Sequence, residues 1–506
     1  MFDIFQICSR VREFLTKKDV LWLLFLLLAF LATRLINLEK FPIFSDEAIY
    51  IHWAKEAWHD ASLRFISLTD GKQPLQTWGT IPFLKLFPDN MLLGGRLFAV
   101  MNGFLALTGI GTLLNYLFGK KAAFWGMVFY VFTPYFIFYD RLALVDSGVN
   151  AAVVWILFFS IWLANKRELS IALFFGIVAG IGLLAKSSVR IFLGLSAFAP
   201  VLFFEKSFKK FIPNTINYFV LFVTSAVTAL VIYNVQRLSP YMHIVAEKNK
   251  TFVMTFSDFF QTPFKYFFRN LELIPHYVLQ ESAFVLPLLG LIGLILLIKN
   301  KPRLGIYFAL WIIIPFFVVC FLSIVLYPRY IIFFSTLLLV TSAYLLSIQK
   351  NKAVLMGLVA IFFVSVAYFD YTILFAPKQI PLVPIDRSQY LEEWPAGWGI
   401  KEIVQYSREK SKEKPVIIIA EGNFGMASDS LDSSLKRSDT NISIWGRWPV
   451  TEKDIEDASN QLKDHYVYLV LSQQKSIPTN WNTKLIQKFD KPGNISSVYF
   501  LELLPQ

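Results

Sequence analysis

Long apolar runs dominate this chain and constrain its fold more than any other feature. About eleven runs of roughly 17 to 25 residues, the length needed to cross the hydrocarbon of a bilayer, start near residues 20, 91, 122, 147, 169, 190, 214, 281, 304, 329 and 352. Hydrophobic residues make up 56% of the 506 positions, more than a soluble domain of this size could bury. The sequence predicts a polytopic α-helical membrane protein.

The basic residues occur as short clusters in alternate connections between these runs. A net charge of +12 would suit nucleic acid if Lys and Arg formed one continuous face, but they do not, so we expect no nucleic-acid partner. The positive-inside tendency predicts a cytoplasmic N-terminus, with Arg10 and Arg12 before the first run. The region near residue 46 and everything after about 376 are then extracytoplasmic, in what we expect to be a bacterial plasma membrane.

Cysteine usage excludes two ways of stabilising the fold. Only Cys8 and Cys320 occur, so neither a disulfide framework nor a thiolate metal site is available. His52 and His59 could share a helix face, but no third ligand is evident, and we expect no bound metal and no cofactor. The first run, 20–36, is too long for a signal-peptide core and is expected to remain as a helix.

The composition changes near residue 376, where prolines punctuate a linker. Beyond it, 400–412 reads as a helix and 416–420 and 466–471 as strands, an alternation that indicates a small α/β domain. We therefore expect a transmembrane domain over 1–375 and a soluble extracytoplasmic α/β domain over 376–506.

Two further segments are assigned from their aromatic residues. The outer loop over 37–90 should contain an interfacial helix near 48–60, anchored by Trp53 and Trp58. The segment 394–399, with sequence WPAGWG, is either a docking turn over the mouth of the active site or the end of a linker.

Two adjacent acids, Asp46 and Glu47, lie just past the first apolar run in FPIFSDEAIY. Carboxylates at a membrane boundary are energetically costly, so their presence indicates a candidate functional site. Asp46 could be a general base that removes a proton from an acceptor hydroxyl, with Glu47 orienting the acceptor or a basic neighbour. Alternatively, Ser45 caps a helix and both acids favour its positive N-terminus.

Basic residues also occur where the positive-inside tendency predicts few of them. Six fall on the outer side: Lys72, Arg96, Arg141, Lys186, Arg190 and Arg329. They could hold a phosphate leaving group, since cationic donors stabilise the charge that develops as a sugar departs, or recognise anionic lipid head groups. Lys72 could also belong to an ordinary Asp-Gly turn. Asp140, Arg141 and Asp146 could join one cavity with Asp46 or be snorkelling boundary charges.

These motifs resemble those of the polyprenyl-phosphate-sugar-dependent glycosyltransferases of the GT-C fold, in particular the bacterial lipid A aminoarabinose transferase and protein O-mannosyltransferase relatives. DEAIY resembles the family's acidic motif in the first outer loop, and KQPLQTW its Lys-Pro-Pro…Trp motif, with Gln73 in place of the first proline. DRLALVD followed by GLLAKSS resembles its Arg-Leu-Ala-Leu-Leu-Asp and Leu-Ala-Lys-Gly pattern, with Ser187 where glycine is usual. The resemblance covers roughly residues 20 to 350.

The resemblance implies an inverting transfer of one sugar from a polyprenyl-phosphate donor to a lipid, protein or glycan acceptor. Asp46 would be the catalytic carboxylate and Asp146 a second acid of the active site. Lys72 would contact the carrier phosphate, with Arg329 and Tyr330 of the PRY motif nearby. A transporter or flippase of lipid-linked glycans is the main alternative, and a non-catalytic receptor is the third.

Overall fold

The computed structural model describes residues 16–205, 207–474 and 476–505. Cys8, Arg10 and Arg12 lie outside these ranges. The helices up to residue 375 are α1 (Lys17–Leu35), α2 (Ser45–His59), α3 (Leu75–Leu86), α4 (Met91–Phe118), α5 (Lys120–Phe132), α6 (Pro134–Asp140), α7 (Asp146–Lys166), α8 (Leu169–Ala185), α9 (Val189–Leu195), α10 (Phe208–Tyr233), α11 (Met242–Phe252), α12 (Phe256–Gln261), α13 (Phe267–Glu281), α14 (Val285–Asn300), α15 (Pro302–Leu322), α16 (Ile332–Ile348) and α17 (Lys352–Phe375).

The apolar helices support an integral membrane protein. Within the described ranges, five are long and apolar enough to cross a bilayer: Met91–Phe118, Asp146–Lys166, Phe211–Leu238, Pro302–Leu322 and Lys352–Phe375. Two bent pairs, α5 with α6 and α13 with α14, turn by 63° and 111° and would raise the number to seven if each pair is one span. The predicted total of eleven spans stays a prediction.

Close helix packing depends on small residues where backbones meet. A Cβ added to Gly290 of α14 would lie 2.5 Å from the carbonyl oxygen of Leu338 in α16, and one added to Gly293 would lie 2.0 Å from that of Thr341. The Thr341 hydroxyl donates to the carbonyl of Gly290 at 2.8 Å. Such contacts replace the hydrophobic driving force, which is weak between helices in lipid.

The C-terminal region contains α18 (Pro384–Arg387), α19 (Ile400–Lys410), α20 (Ser428–Asp432) and α21 (Glu452–Ser459). Seven strands are described in the whole chain: β1 (Ile43–Phe44), β2 (Ala396–Gly397), β3 (Val416–Glu421), β4 (Ile442–Arg447), β5 (Tyr466–Leu471), β6 (Thr483–Asp490) and β7 (Ser497–Leu503).

The C-terminal sheet has five strands in the order β4-β3-β5-β7-β6. Strands β4, β3 and β5 are parallel, whereas β7 is antiparallel to both β5 and β6. Strand β3 is buried along its whole length, as a central parallel strand covered on both faces should be. The two predicted strands are present, and the predicted division of the chain at residue 376 stays a prediction.

The C-terminal region packs directly against the helix that begins with the acid motif. Strand β2, from the segment 394–399, pairs with β1 immediately before α2, and Ser45 N–H donates to the carbonyl of Pro395 at 3.0 Å. On α2 itself, Trp53 is only 3% exposed, so it lies inside the protein and not at a lipid interface. Helix α2 therefore has protein contacts on both sides.

Candidate active site

Asp46 lies in the first turn of α2 and has two cationic partners. Its Oδ2 lies 3.0 Å from Arg329 Nη2 and its Oδ1 lies 3.5 Å from Lys72 Nζ. Ser45 does not cap the helix, because its hydroxyl accepts from Met426 N–H at 3.2 Å. Glu47 instead accepts from Phe44 N–H at 3.0 Å. Glu47 is therefore the acid that caps the start of α2, whereas Asp46 contacts the two cations.

Lys72 is held beside Asp46 by a tight turn. Gly71 has a left-handed φ of 69°, and its missing side chain leaves room for Lys248 of α11, whose Cβ would be 2.5 Å from an added Cβ. Asp70 Oδ1 lies 2.6 Å from Lys248 Nζ and Oδ2 lies 3.5 Å from Lys72 Nζ. The Asp-Gly turn and the cationic role are therefore compatible readings of this motif.

Arg329 connects Asp46 to a second acid through a chain of contacts. Its guanidinium lies 5.4 Å from the ring centre of Tyr330, and Lys186 Nζ lies 3.7 Å from that same ring. Lys186 Nζ is 3.2 Å from Asp146 Oδ1. The structure thus brings together six of the predicted site residues, which we call the acid–cation cluster: Asp46, Lys72, Asp146, Lys186, Arg329 and Tyr330.

Glu47 and Arg96 form a fully buried ion pair. Arg96 Nη2 lies 2.8 Å from Glu47 Oε2 and its Nε lies 2.9 Å from Oε1. Arg96 also donates to the carbonyls of Leu38, Phe41 and Pro42. Both side chains are 0% exposed. The pair fixes the chain between α1 and α2, so the geometry gives Glu47 a positioning role; the predicted catalytic role stays a prediction.

Asp140 and Arg141 have protein partners around the end of α1. Asp140 pairs with Arg34 at 3.1 Å, and Arg141 donates to the carbonyls of Thr33, Arg34, Ile36 and Asn37. Both are buried and so are not snorkelling charges. Arg141 supplies donors to terminal carbonyls that a helix leaves unpaired, and a substrate role for either residue stays a prediction.

Arg190 lies in a neighbouring cavity. Its guanidinium is 4.6 Å from the ring centre of Tyr233, and it lines a space of about 500 Å³ with Arg237, His243 and Asn249. Asn249 also donates to Ser187 Oγ at 3.5 Å. This cavity is therefore linked to the residue that follows Lys186.

Burial and neighbouring charges shift the pKa values of two members of the cluster, Asp46 and Lys186. Burial raises the pKa of Asp46, but the positive charges of Lys72 and Arg329 outweigh it and the net shift is downward. Burial lowers the pKa of Lys186 more than Asp146 raises it. Four cations, with Lys248 included, face three carboxylates, with Asp70 included. An excess of one positive charge suits an anionic ligand.

One extension of the cluster was missed from the sequence. Lys248 of α11 joins the cluster through Asp70, which contacts both Lys248 and Lys72. Lys248 is far from Lys72 along the chain, so the sequence did not indicate that the two lysines share a carboxylate. Among the described residues, no group of three or more His, Cys, Asp and Glu side chains could hold a metal ion.

The apolar helices and the likeness to solved structures define the class of the protein: it is an integral membrane protein with the GT-C fold. A family model described as dolichyl-phosphate-mannose-protein mannosyltransferase matches residues 72–233. The part of the chain that this family model matches thus begins at Lys72 and includes Asp146 and Lys186. No curated protein sequence matches the chain.

The structure of this chain is similar to that of ArnT from Cupriavidus metallidurans. Its apo structure is 13% identical, with a TM-score of 0.60, and the match covers 96% of this chain and 99% of ArnT. The structure of that protein bound to undecaprenyl phosphate gives 14% identity, a TM-score of 0.58 and the same coverage.

A second likeness is to the archaeal oligosaccharyltransferase AglB from Archaeoglobus fulgidus, in complex with an inhibitory peptide and a dolichol-phosphate. It is 12% identical with a TM-score of 0.53, covering 89% of this chain and 69% of AglB. The comparisons support the predicted resemblance and give no support to a transporter or flippase.

Proposed function

We propose that this protein is an inverting glycosyltransferase that moves one hexose or pentose from a polyprenyl-phosphate donor to an acceptor hydroxyl on the extracytoplasmic side of the membrane. The observation that carries the proposal is the contact of one carboxylate with two cations: Asp46 with Lys72 and Arg329. A base and a phosphate-binding group are then adjacent. The undecaprenyl phosphate bound by ArnT and the dolichol-phosphate bound by AglB support a lipid-phosphate carrier.

Asp46 acts as the general base in this proposal. Its lowered pKa keeps the carboxylate ionised near neutral pH, so it can accept the acceptor's hydroxyl proton as the oxygen attacks the anomeric carbon. A bond forms between that oxygen and the carbon while the bond from the carbon to the phosphate oxygen breaks. One displacement on one face of the sugar inverts its configuration.

The cations receive the leaving group. The phosphate departs with an additional negative charge, which Lys72, Arg329 and Lys186 stabilise, so no acid catalyst is required. Arg329 can donate one more hydrogen bond to the phosphate, because its buried Nε has no hydrogen-bond partner within the described part of the chain. A buried donor without a partner is costly, and a phosphate oxygen would satisfy it.

Sugar transfer by the purified protein tests the proposal. Wild-type protein in nanodiscs is given a radiolabelled polyprenyl-phosphate sugar and membrane extract as the acceptor source. Asp46→Asn should reduce turnover about 10²- to 10⁴-fold, the range of general-base catalysis, without lowering thermal stability. Asp89→Asn, which changes an exposed acid of the same outer loop, is the matched control. Turnover that persists in Asp46→Asn would remove this residue as the base.

A further inference from the structure

At one edge of the C-terminal sheet, the loop after β3 packs against α2, the helix that carries Asp46. In parallel sheets, ligands bind outside the carboxyl ends of the strands. Strands β3 and β4 are adjacent and parallel, and the loops that follow them meet: Gly422 N–H donates to the carbonyl of Arg447 at 2.7 Å. This edge is therefore the expected place for a ligand of the C-terminal region.

The loop after β3 lies on the helix that carries Asp46. Met426 N–H donates to Ser45 Oγ, and the ring of Phe424 lies 5.8 Å from that of Trp53. Trp53 in turn lies 5.5 Å from Lys72 Nζ. One buried indole thus separates Phe424 from a cation that contacts Asp46.

Two large aromatic side chains remain exposed at this edge. Phe424 is 46% exposed and Trp448, in the loop after β4, is 55% exposed. Asn423 precedes Phe424, and Arg447, the last residue of β4, precedes Trp448; both are also exposed. Arg447 Nε lies 2.9 Å from Asp454 Oδ1, which holds its guanidinium in place. We call Asn423, Phe424, Arg447 and Trp448 the aromatic edge. Their alternation of ring faces and hydrogen-bonding groups is unlike the continuous apolar patch that a lipid tail requires.

The loops of this edge are anchored. Glu421, at the end of β3, is 1% exposed and accepts from the backbone N–H groups of Ser472, Gln473 and Gln474 at 2.7, 2.7 and 3.2 Å. Gly422 and Gly425 bracket Phe424 with left-handed φ values of 108° and 78°. Backbone conformations of this kind favour glycine, so the loop shape is set by the sequence.

From this geometry we propose that the aromatic edge binds a sugar ring of the acceptor beside the helix that carries Asp46. Phe424 and Trp448 stack on the C–H faces of the ring, and Asn423 and Arg447 bind its hydroxyls. The proposal rests on the proposed function and deepens it, because it makes the acceptor a carbohydrate and assigns its recognition to the C-terminal region.

Binding of a simple sugar tests the edge without requiring turnover. Saturation-transfer NMR is measured on the full chain in nanodiscs with methyl α-D-mannopyranoside and methyl β-D-glucopyranoside as probes and sorbitol as a non-ring control. Phe424→Leu keeps an apolar contact with Trp53 but loses the aromatic face. We expect this variant and Trp448→Leu each to bind the preferred probe about threefold to tenfold more weakly, as the loss of one aromatic contact predicts.

One control variant and one separate readout distinguish this proposal from its alternatives. Ile495→Ala changes a 58% exposed apolar residue in the turn between β6 and β7 and should leave binding unchanged. The binding measurement needs no turnover, so loss of sugar transfer in Asp46→Asn and loss of probe binding in Phe424→Leu are separate outcomes: the first tests the proposed function and the second tests the edge. Equal signals in the wild type and in Phe424→Leu would overturn the proposal. Brominated acyl chains that quench less fluorescence in Trp448→Leu than in the wild type, which has 13 Trp, would do so as well, since this difference would assign the edge to the membrane.

Discussion

Gln73 donates a hydrogen bond from its side-chain amide to the hydroxyl of Ser187 at 2.7 Å. These are two positions at which a polar residue replaces the proline or glycine of the family that the motifs resemble. Each follows a cation of the cluster, Lys72 and Lys186 respectively. The departures therefore compensate each other, because one introduces a donor and the other its acceptor.

A double-mutant cycle tests this compensation. Gln73→Ala and Ser187→Gly should each weaken donor binding, but the double variant should be little worse than either single one, with a coupling of about 0.5–1.5 kcal/mol for one hydrogen bond. The measurement is the KM for the polyprenyl-phosphate sugar. Thr69→Ala, which removes a hydroxyl that donates to the carbonyl of Ile66 at 2.7 Å, is the control. Additive effects of the two substitutions would contradict the idea.

The charge of Asp46 has a consequence for binding as well as for turnover. In the structure this carboxylate occupies the cations that would hold the carrier phosphate. Asp46→Asn removes the competing charge, so free polyprenyl phosphate should bind more tightly to this variant than to the wild type. Lys72→Ala should have the opposite effect, a loss of about tenfold or more for a charged hydrogen bond. Isothermal titration with a short-chain polyprenyl phosphate measures both.

The control for this experiment is Lys85→Ala, which removes an exposed lysine of the same outer loop. It should leave the dissociation constant unchanged. If Asp46→Asn weakened binding of the phosphate, the carboxylate would have to contact the carrier through a shared proton or water, and the competition argument would be wrong.

Local signals in the sequence predicted much of the membrane region. An apolar helix begins within a few residues of each predicted start, because hydrophobic length is a local property. The motifs containing Asp46, Lys72 and Lys186 were recognisable for the same reason. The roles of these residues stay predictions. Their proximity to one another was expected, because the sequence places all of them at the same end of the apolar helices.

Relationships between distant segments could not be predicted. Ile43 pairs with Gly397, and nothing in either short segment indicates the other. Strands β4, β6 and β7 were missed; β6, for example, alternates irregularly and is mostly exposed. Glu47 was expected to orient the acceptor or a basic neighbour, and the sequence did not indicate which; helical geometry turns neighbouring side chains about 100° apart. That rotation sends Glu47 to the buried Arg96 and Asp46 to the cations.

The buried pair of Glu47 and Arg96 should govern stability. Glu47→Gln leaves a buried guanidinium without its counter-charge, which costs about 3–5 kcal/mol. The thermal unfolding midpoint of the protein in detergent should fall strongly. Glu39→Gln breaks a more exposed pair, Glu39 with Lys401 at 3.2 Å, and should cost at most about 1 kcal/mol. A Glu47→Gln protein with normal stability and no turnover would restore the catalytic interpretation.

The contact between α2 and the C-terminal region should depend on pH. His52 Nδ1 lies 3.1 Å from Asp432 Oδ2, and Lys55 Nζ lies 2.7 Å from Oδ1. Burial lowers the pKa of His52, but the contact with Asp432 and the charge of Asp429 raise it, and the net shift is upward from 6.5. Because the folded pKa is raised, the stabilisation is fully present below pH 6.5 and is lost as the pH rises through the raised value.

Hydrogen exchange of α20 measures this loss. Protection of α20 should decrease as the pH rises from below 6.5, after correction for the intrinsic rate, and His52→Gln should remove the dependence because its amide does not titrate. Lys55→Met should lower protection at every pH but keep the dependence on His52. An unchanged pH profile in His52→Gln would assign the dependence to another group. Since Asp46 and His52 share α2, weaker docking at high pH should also reduce turnover, and the His52→Gln variant should lose that reduction.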